Sequence, residues 1–270
     1  MSDRIQEAFG LSRRPFDKEI PTELMWMDGG RQQALDRLVQ TITHRQHALV
    51  LGEPGVGKSC VLRALKQELS PSRFRLDYVA HVTLGRRDFY RQICYALGIE
   101  PKATAAAMFE AIQRDCANAT HEHRLHAVLV LDEAHLMPDT TLAHLHVLAN
   151  FAWDSQPLLS LVLVGLPELH DRLRLGIHRA LLTRIHAKVE LSPGSPELSA
   201  GYVRKRMADA GARTEVFTGD ALAMLHELTG GVLRSIDVLA EASLRLAALE
   251  DRPLIDRSVV QRALHHTPLV

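Results

Sequence analysis

The stretch Ala-Leu-Val-Leu-Gly-Glu-Pro-Gly-Val-Gly-Lys-Ser, residues 48–59, decides how the chain folds. Its first four residues are apolar and predict a short buried strand. The glycines that follow predict a tight turn. Apolar residues then recur at helical spacing from Lys58 to about Leu69, which predicts an amphipathic helix. A strand, a glycine-rich turn and a helix in this order are the context expected of a phosphate-binding loop.

The turn matches the pattern G-x-x-x-x-G-K-[ST] in full. Glycines let backbone N–H groups point at phosphate oxygens, and the start of the following helix favours negative charge. Lys58 is expected to lie near the β- and γ-phosphates of ATP, and Ser59 to offer its hydroxyl to Mg²⁺. The predicted nucleotide-binding residues of this stretch are Gly52, Glu53, Pro54, Gly55, Val56, Gly57, Lys58, Ser59 and Cys60.

A second motif follows 74 residues after Lys58, where an apolar run over residues 127–131 ends in Asp132 and Glu133. Five consecutive apolar residues are typical of a parallel strand buried on both faces. We expect Asp132 to hold the hydration shell of Mg²⁺ and Glu133 to act as the general base on the attacking water. Asp132 to His135 also spell a helicase box, but such helicases need two stacked motor domains, and this chain has room for one.

Composition narrows the classes of function. The chain has 270 residues, of which 46% are hydrophobic and 24% charged, as in a folded globular protein. Its 32 basic and 32 acidic residues cancel, which argues against strong DNA binding by one subunit and leaves open a local or assembled basic surface. Three cysteines without a C-x-x-C pair and no apolar run of membrane-spanning length predict a cytoplasmic protein outside the membrane.

Strands alternate with helices up to residue 191, which predicts a three-layer α/β domain with a parallel sheet over residues 31–191. A second strand is expected over residues 78–83 and one helix over residues 140–151. Residues 1–30 are expected to be an irregular segment that contributes to the nucleotide pocket. After a Pro- and Gly-rich boundary, only helical patterns appear, so residues 192–270 are predicted to form a small helical lid domain.

Several arginines are candidates for contact with phosphate. Arg179 and Arg184 lie near the end of the α/β domain, where either could stabilise transition-state charge on a neighbour's nucleotide. Arg234 begins a helix in the lid domain and could reach the phosphates as a sensor. Arg86 and Arg87 follow the second predicted strand in an expected loop, where they could contact DNA phosphates.

The motifs together resemble the AAA+ ATPases of the ExeA and TniB/TnsC grouping, over nearly the whole chain. Phe9-Gly10-Leu11 with Pro15-Phe16 is similar to the opening F-G-L-x-x-x-P-F signature of that grouping. The segment Val164-Gly165-Leu166-Pro167-Glu168-Leu169 resembles its G-Q-P-E-L segment. The resemblance implies a homo-oligomeric, ring- or filament-forming ATPase that uses ATP and Mg²⁺.

Two further segments carry implied roles. Leu181-Leu182-Thr183-Arg184-Ile185 resembles the L-x-x-R-I segment of the grouping. This resemblance implies that Arg184 is the first choice for the arginine supplied to a neighbouring subunit, with Arg179 as the second choice. Gly231-Val232-Leu233-Arg234 resembles its G-x-P-R sensor, with Leu233 in place of proline.

One departure concerns hydrolysis. The grouping has Gln, Asn or Thr after the third buried strand, whereas Leu166 stands there in this chain. Leucine cannot hydrogen-bond a water molecule or a γ-phosphate, so we expect either slow hydrolysis or another residue in that role.

The resemblance offers two functions. Secretion ATPases of the grouping usually continue into a membrane span and a cell-wall-binding domain, and the sequence given ends after the helical lid. The sequence therefore favours a transposition helper, an ATP-dependent oligomer that binds duplex DNA and recruits a transposase. The alternative is a secretion-pathway ATPase that energises a protein complex without binding DNA. An initiator or clamp-loader role is a third idea, against which the lack of a winged-helix pattern counts.

Overall fold

The computed structural model describes residues 2–151, 155–265 and 267. Within them, five strands form one sheet in the order β2-β3-β4-β1-β5, and every neighbouring pair is parallel. The strands are β1 (His47–Gly52), β2 (Phe74–Val79), β3 (His126–Leu131), β4 (Leu159–Gly165) and β5 (Ile185–Leu191). This confirms the predicted fold class of a parallel α/β sheet with flanking helices, followed by a helical C-terminal region.

Helices of very different length precede, connect and follow the strands. They are α1 (Ser2–Phe9), α2 (Gly29–Thr43), α3 (Lys58–Glu68), α4 (Arg86–Leu97), α5 (Ala105–His121), α6 (Asp139–Leu142), α7 (Leu145–Leu148), α8 (Glu168–Leu173), α9 (Arg179–Leu182), α10 (Pro196–Asp209), α11 (Gly219–Thr229), α12 (Leu233–Leu249) and α13 (Arg257–Leu264). Short 3-10 turns lie at Thr22–Leu24, Ala134–Leu136 and Gly176–His178.

The chain divides into two compact units. The sheet unit comprises Gly29–Glu53 and Val61–Leu191, and the helical unit comprises the described residues of Met1–Asp28, Pro54–Cys60 and Ser192–Val270. The helical unit therefore takes up most of the phosphate-binding stretch as well as both ends of the chain. The domain bounds that the sequence suggests stay a prediction.

Each unit has its own apolar core. In the sheet unit, all six residues of β3 are buried, and Phe89 of α4 and Ile112 of α5 pack in the same cluster. In the helical unit, residues of α12 such as Ile236 and Leu239 are completely buried. Phe16, of the N-terminal segment, belongs to this second core and is only 7% exposed. Burial of this apolar surface is the main force that holds each unit together.

The second strand lies four residues before its predicted start. It covers Phe74–Val79, at the edge of the sheet, and not residues 78–83. The strand is not an apolar run, because it carries Arg75 and Asp77. The Arg75 guanidinium bonds to Asp77, with Nε 3.0 Å from Oδ2, and to Asp115. An edge strand can carry such charges because one side of it stays near solvent.

Two other local predictions were wrong, and one strand was not predicted. Residues 2–9 form α1 and are not irregular, since Ile5 is buried in the helical core. The helix predicted over residues 140–151 is two separate four-residue helices, α6 and α7; between them, the His144 ring contacts Tyr90. β5 was missed because only alternate residues are apolar, the pattern of a strand that buries one face.

Candidate nucleotide site

The phosphate loop, residues 52–59, joins the end of β1 to the start of α3. Gly55 and Gly57 have φ values of +84° and +103°, in a region that side chains with a Cβ rarely adopt. The turn closes with a hydrogen bond of 3.0 Å from the Cys60 N–H to the Gly57 carbonyl. Two left-handed glycines are what the chain needs to curl its N–H groups around an anion.

Arg234 lies beside this loop within the helical unit. Its backbone N–H donates to the Gly55 carbonyl over 3.3 Å. A Cβ added to Gly55 would lie 2.7 Å from the Arg234 Cβ and 2.9 Å from Cγ1 of Val232. The structure therefore brings the predicted sensor arginine to the phosphate loop. Arg234 lies in the first turn of α12, and its side chain is exposed.

Asp132 follows β3 and its carboxylate is held at both oxygens. Oδ1 accepts from the Glu133 N–H over 2.9 Å, and Oδ2 accepts from the Tyr78 hydroxyl over 2.6 Å. Two causes raise the pKa of Tyr78: partial burial of the phenol is the larger, and its hydrogen bond to Asp132 is the second. The hydroxyl therefore remains a donor at neutral pH. Tyr78 has no local signal in the sequence, because it lies on β2, 54 residues from Asp132.

Glu133 adopts a left-handed backbone conformation with φ of +53°. For a residue other than glycine this costs about 1–2 kcal/mol, which the surrounding loop must offset. The side chain is 50% exposed, so its carboxylate is accessible to water. Strain of this kind gathers at functional sites, where it fixes the direction of a side chain.

His135, in the 3-10 turn after Glu133, lies against the end of β4. Its ring is 6% exposed, and its Nδ1 lies 3.5 Å from Glu133 Oε2 and 3.4 Å from the Leu166 backbone nitrogen. Gly165 leaves room for it, because a Cβ there would lie 3.2 Å from the same Nδ1. Leu166 itself brings no polar side chain to this place. In the sequence, His135 stands out only as part of the discounted helicase box.

Arg172 of α8 holds the residues that follow His135. Its guanidinium donates to the His135 carbonyl, to the Met137 carbonyl at 2.7 Å, and to the Asp139 carboxylate. Asp139 is also bonded to Nε2 of His178 at 3.0 Å. The bond from Arg172, then the bond to His178, holds the pKa of Asp139 below its usual range, which keeps the carboxylate ionised.

The sheet places the ends of β1 and β3 at one edge. Both strands are parallel neighbours of β4, so Gly52, which ends β1, and Asp132, which follows β3, lie on the same side of the sheet. Two strand spacings correspond to about 10 Å. Ligands of open α/β sheets bind outside this carboxyl edge.

The two candidate trans arginines differ in their surroundings. Arg184 is partly buried, and its Nη1 donates to the His146 carbonyl over 3.3 Å. Arg179 starts α9 and its side chain is exposed. Neither role is decided by these contacts, so both assignments stay predictions.

Arg86 and Arg87 are not in a loop as predicted. They form the first turn of α4, after Gly85, and both side chains are exposed. Asp88 of the same turn pairs with Arg91, with Oδ1 2.7 Å from Nη1. The N-terminal end of a helix carries partial positive charge, which repels the two arginine cations. An anion bound near this turn would therefore be favourable.

The donors fit a nucleotide that carries Mg²⁺ with it. Among the described residues, no group of three His, Cys, Asp or Glu side chains could hold a metal by itself. Mg²⁺ is usually bound by one or two protein oxygens together with substrate phosphates and water. Ser59 in the curled loop and the oriented carboxylate of Asp132 are donors of that kind.

Comparison with known proteins agrees with this geometry. Residues 40–173 match the family model described as an AAA domain. The chain has a TM-score of 0.73 and 20% identity to the crystal structure of Cdc6p from Pyrobaculum aerophilum, covering 93% of this chain and 70% of that one. It has a TM-score of 0.72 and 15% identity to the ORC2 protein of Aeropyrum pernix, solved as ADPNP-ADP complexes, covering 95% and 72%. The chain therefore has the P-loop AAA fold.

A curated relative is closer in sequence. General secretion pathway protein A of Aeromonas hydrophila is 35% identical over 242 residues, which are 88% of this chain and 44% of that protein. The chain thus spans less than half the length of this relative. The AAA domain match and this relative agree with the resemblance to the ExeA grouping. They give no support to the transposition branch that the sequence analysis favoured.

No helix among the described residues is both long and apolar enough to cross a membrane.

Proposed function

We propose that the chain binds ATP with Mg²⁺ and hydrolyses it to ADP and phosphate. The observation that carries this proposal is the pairing of a complete phosphate loop, with left-handed Gly55 and Gly57, and an oriented Asp132-Glu133 pair after β3. Both motifs follow strands whose carboxyl ends share one edge of the sheet. The AAA domain match over residues 40–173 includes both motifs.

The residues divide the chemistry between them. Backbone N–H groups of the phosphate loop and the Lys58 ammonium would hold the phosphates. Ser59 and Asp132 would hold Mg²⁺, which when bound would neutralise charge on the β- and γ-phosphates. Glu133 would take a proton from the attacking water at its exposed carboxylate. Arg234, whose backbone contacts Gly55, would contact the phosphates from the helical unit.

We also propose that hydrolysis requires a homo-oligomer. Arg184, or Arg179 as the second choice, would supply a guanidinium to the γ-phosphate of a neighbouring subunit. Arg184 would then have to exchange its bond to the His146 carbonyl for the phosphate. The specific activity should rise with protein concentration, because the site is complete only in the assembly.

For the cellular role, we propose that the ATPase drives or gates a protein complex of the secretion type. The support is the 35% identity to general secretion pathway protein A over 88% of this chain. Zero formal charge is also consistent with a protein partner.

A second candidate is the transposition helper that binds duplex DNA and recruits a transposase. One observation favours it, the exposed Arg86-Arg87 pair at the positive end of α4. Phosphates of a DNA backbone would relieve the repulsion there, and an oligomer would repeat the contact along the duplex.

One set of assays tests the activity and separates the two roles. ATP hydrolysis is measured with and without Mg²⁺, over a range of protein concentrations. Binding to labelled duplex DNA is measured by fluorescence anisotropy with ATP, a slowly hydrolysed analogue, ADP or no nucleotide, at fixed salt. We expect Mg²⁺-dependent hydrolysis and no retention of DNA.

Each other outcome has a defined meaning. No hydrolysis at any protein concentration would contradict the proposed activity. DNA binding that needs the triphosphate, and is lost in the Arg86→Ala/Arg87→Ala variant, would replace the secretion role with the transposition role. The matched control is Arg114→Ala, an exposed arginine of α5 that pairs with Glu110.

A further inference from the structure

We propose that His135 positions the catalytic carboxylate of Glu133, in a place where Leu166 offers no hydrogen-bonding side chain. This inference rests on the proposed ATPase activity and assigns the residue that orients its base. The evidence is the position of His135 between Glu133 and the end of β4.

The ring is fixed on several sides. Its side chain is 6% exposed, in a turn whose carbonyl oxygens at His135 and Met137 accept from Arg172. Gly165 has only hydrogen where a Cβ would lie 3.2 Å from both the backbone nitrogen and Nδ1 of His135. The glycine thus permits the imidazole to lie against β4, directly beside Glu133.

Nδ1 faces two groups of opposite character. Glu133 Oε2, 3.5 Å away, is an acceptor, whereas the Leu166 N–H, 3.4 Å away, is a donor. With a proton on Nδ1, the ring donates to the carboxylate; without it, the ring accepts from the end of β4. A single nitrogen cannot make both bonds at once, and both distances are at the long end of the hydrogen-bond range. The proton on Nδ1 therefore decides whether the ring donates to Glu133 or accepts from the Leu166 N–H.

Glu133 needs such a partner. Its backbone is in the left-handed region and its side chain is half exposed, so the backbone sets a direction but leaves the carboxylate to rotate in water. A general base must lie within hydrogen-bond reach of the proton that it accepts. A buried donor at Nδ1 would reduce the number of carboxylate orientations and favour the productive one.

His135 acts through Glu133 and is a positioning residue. Its loss should therefore lower kcat and leave nucleotide affinity unchanged. We expect His135→Ala to reduce kcat about 10- to 100-fold, the range for removing a hydrogen bond to a charged group. His135→Asn, which keeps an N–H near the position of Nδ1, should recover part of the rate. The exposed His123, after α5, supplies the control variant His123→Ala.

Complementation makes the test specific. Leu166→Gln supplies an amide directly after β4, at the residue whose backbone nitrogen lies 3.4 Å from His135 Nδ1, so the double variant His135→Ala/Leu166→Gln should hydrolyse ATP faster than His135→Ala alone. A purely structural role for His135 would give no such rescue. Circular dichroism and the Kd for a fluorescent ADP analogue, measured for every variant, show whether the fold and the phosphate loop are intact.

The experiment is a steady-state ATPase assay of the full chain, with Glu133→Gln in the same series. The inference predicts low kcat with unchanged Kd for His135→Ala, and recovery by Asn or by Leu166→Gln. If His135→Ala keeps the wild-type kcat and Glu133→Gln loses activity, the role of His135 is overturned and that of Glu133 stands. A loss in His135→Ala that neither change recovers would also overturn it. Wild-type kcat in Glu133→Gln would instead refute the proposed base.

Discussion

In the phosphate loop the backbone does the positioning, whereas in the acidic loop, residues 132–137, side chains from distant parts of the chain do it. The first depends on Gly55 and Gly57 in left-handed conformations. The second depends on Tyr78, which bonds Asp132, and on Arg172, which bonds two carbonyls of the turn. Positioning by backbone conformation depends on one short stretch of sequence, whereas positioning by side-chain hydrogen bonds depends on residues that only the fold brings together.

The comparison implies that the two loops fail differently. Damage to the phosphate loop should remove nucleotide binding, and with it every later step. Damage to the acidic loop should leave binding in place and lower Mg²⁺ affinity or turnover.

The largest effect is expected from Lys58→Ala, which removes the charge nearest the predicted phosphates. A hydrogen bond between charged groups contributes up to about 3 kcal/mol, so affinity for ATP should fall about 100-fold. Isothermal titration calorimetry with ATP measures it. Lys66→Ala, at an exposed position of the same helix, is the control and should bind as the wild type does. Equal affinity of the two variants would refute the role of Lys58.

Gly55→Ala tests the positioning by backbone conformation itself. The new Cβ would lie 2.7 Å from the Arg234 Cβ, at a residue whose φ is +84°. Left-handed strain alone costs about 1–2 kcal/mol, so we expect at least about a tenfold loss of nucleotide affinity. Gly85→Ala is the matched control, since a Cβ there meets nothing within 4 Å. Binding by Gly55→Ala at the wild-type level would show that the loop adapts.

The two units should respond to acid with opposite signs. Burial raises the pKa of Asp237, in α12, to about 6, although its carboxylate accepts a hydrogen bond of 2.5 Å from Tyr202. Unfolding lets this carboxyl ionise at its ordinary pKa of about 4, so the helical unit loses stability as pH rises from about 4 to about 6. At neutral pH the ionised, buried Asp237 lowers the free energy of unfolding by about 2–3 kcal/mol.

Asp237→Asn should remove that cost. It should stabilise the protein at pH 7.5 and have almost no effect near pH 4, as measured by thermal unfolding across pH. Asp220→Asn, at an exposed position, is the control and should give a small difference. A stabilisation that does not decrease toward pH 4 would contradict the assignment.

In the sheet unit the buried histidine of β3 has the reverse effect. Burial, followed by the charges of Arg45 and His47, lowers the pKa of His126 to about 4, and its Nε2 lies 2.8 Å from the Ser160 hydroxyl. The unfolded chain binds a proton at about pH 6.5, so this unit loses stability as pH falls from there toward 4.

The smallest effect is expected from Tyr78→Phe, which removes the 2.6 Å bond to Asp132 and leaves the ring. One such bond contributes about 1 kcal/mol, so the Mg²⁺ concentration for half-maximal hydrolysis should rise about 3- to 10-fold. Nucleotide affinity without Mg²⁺ should not change. Tyr95→Phe, at a residue that is 60% exposed, is the control. A change in affinity for free ATP would contradict the separation of the two loops.

The same difference explains what the sequence could predict. The phosphate loop, β1 and β3 follow from local patterns, and the predicted bounds of the two strands agree with the structure to within a residue. Tyr78 lies 54 residues from the carboxylate that it bonds, and Arg172 lies 33–37 residues from the groups that it bonds, so only the sheet and α8 reveal them. β5 had a local signal in the alternation of Ala187, Val189 and Leu191 with polar residues. β2 had none, because its charges are paired only in the folded sheet.

The most direct test of the central claim is single-turnover ATP hydrolysis by Glu133→Gln, with the enzyme in excess and ATP affinity measured on the same sample. The account predicts wild-type affinity and a hydrolysis rate at least about 100-fold lower, the lower range for loss of a general base. Wild-type hydrolysis together with unchanged ATP affinity would contradict this role, because Glu133 would then not be the catalytic base.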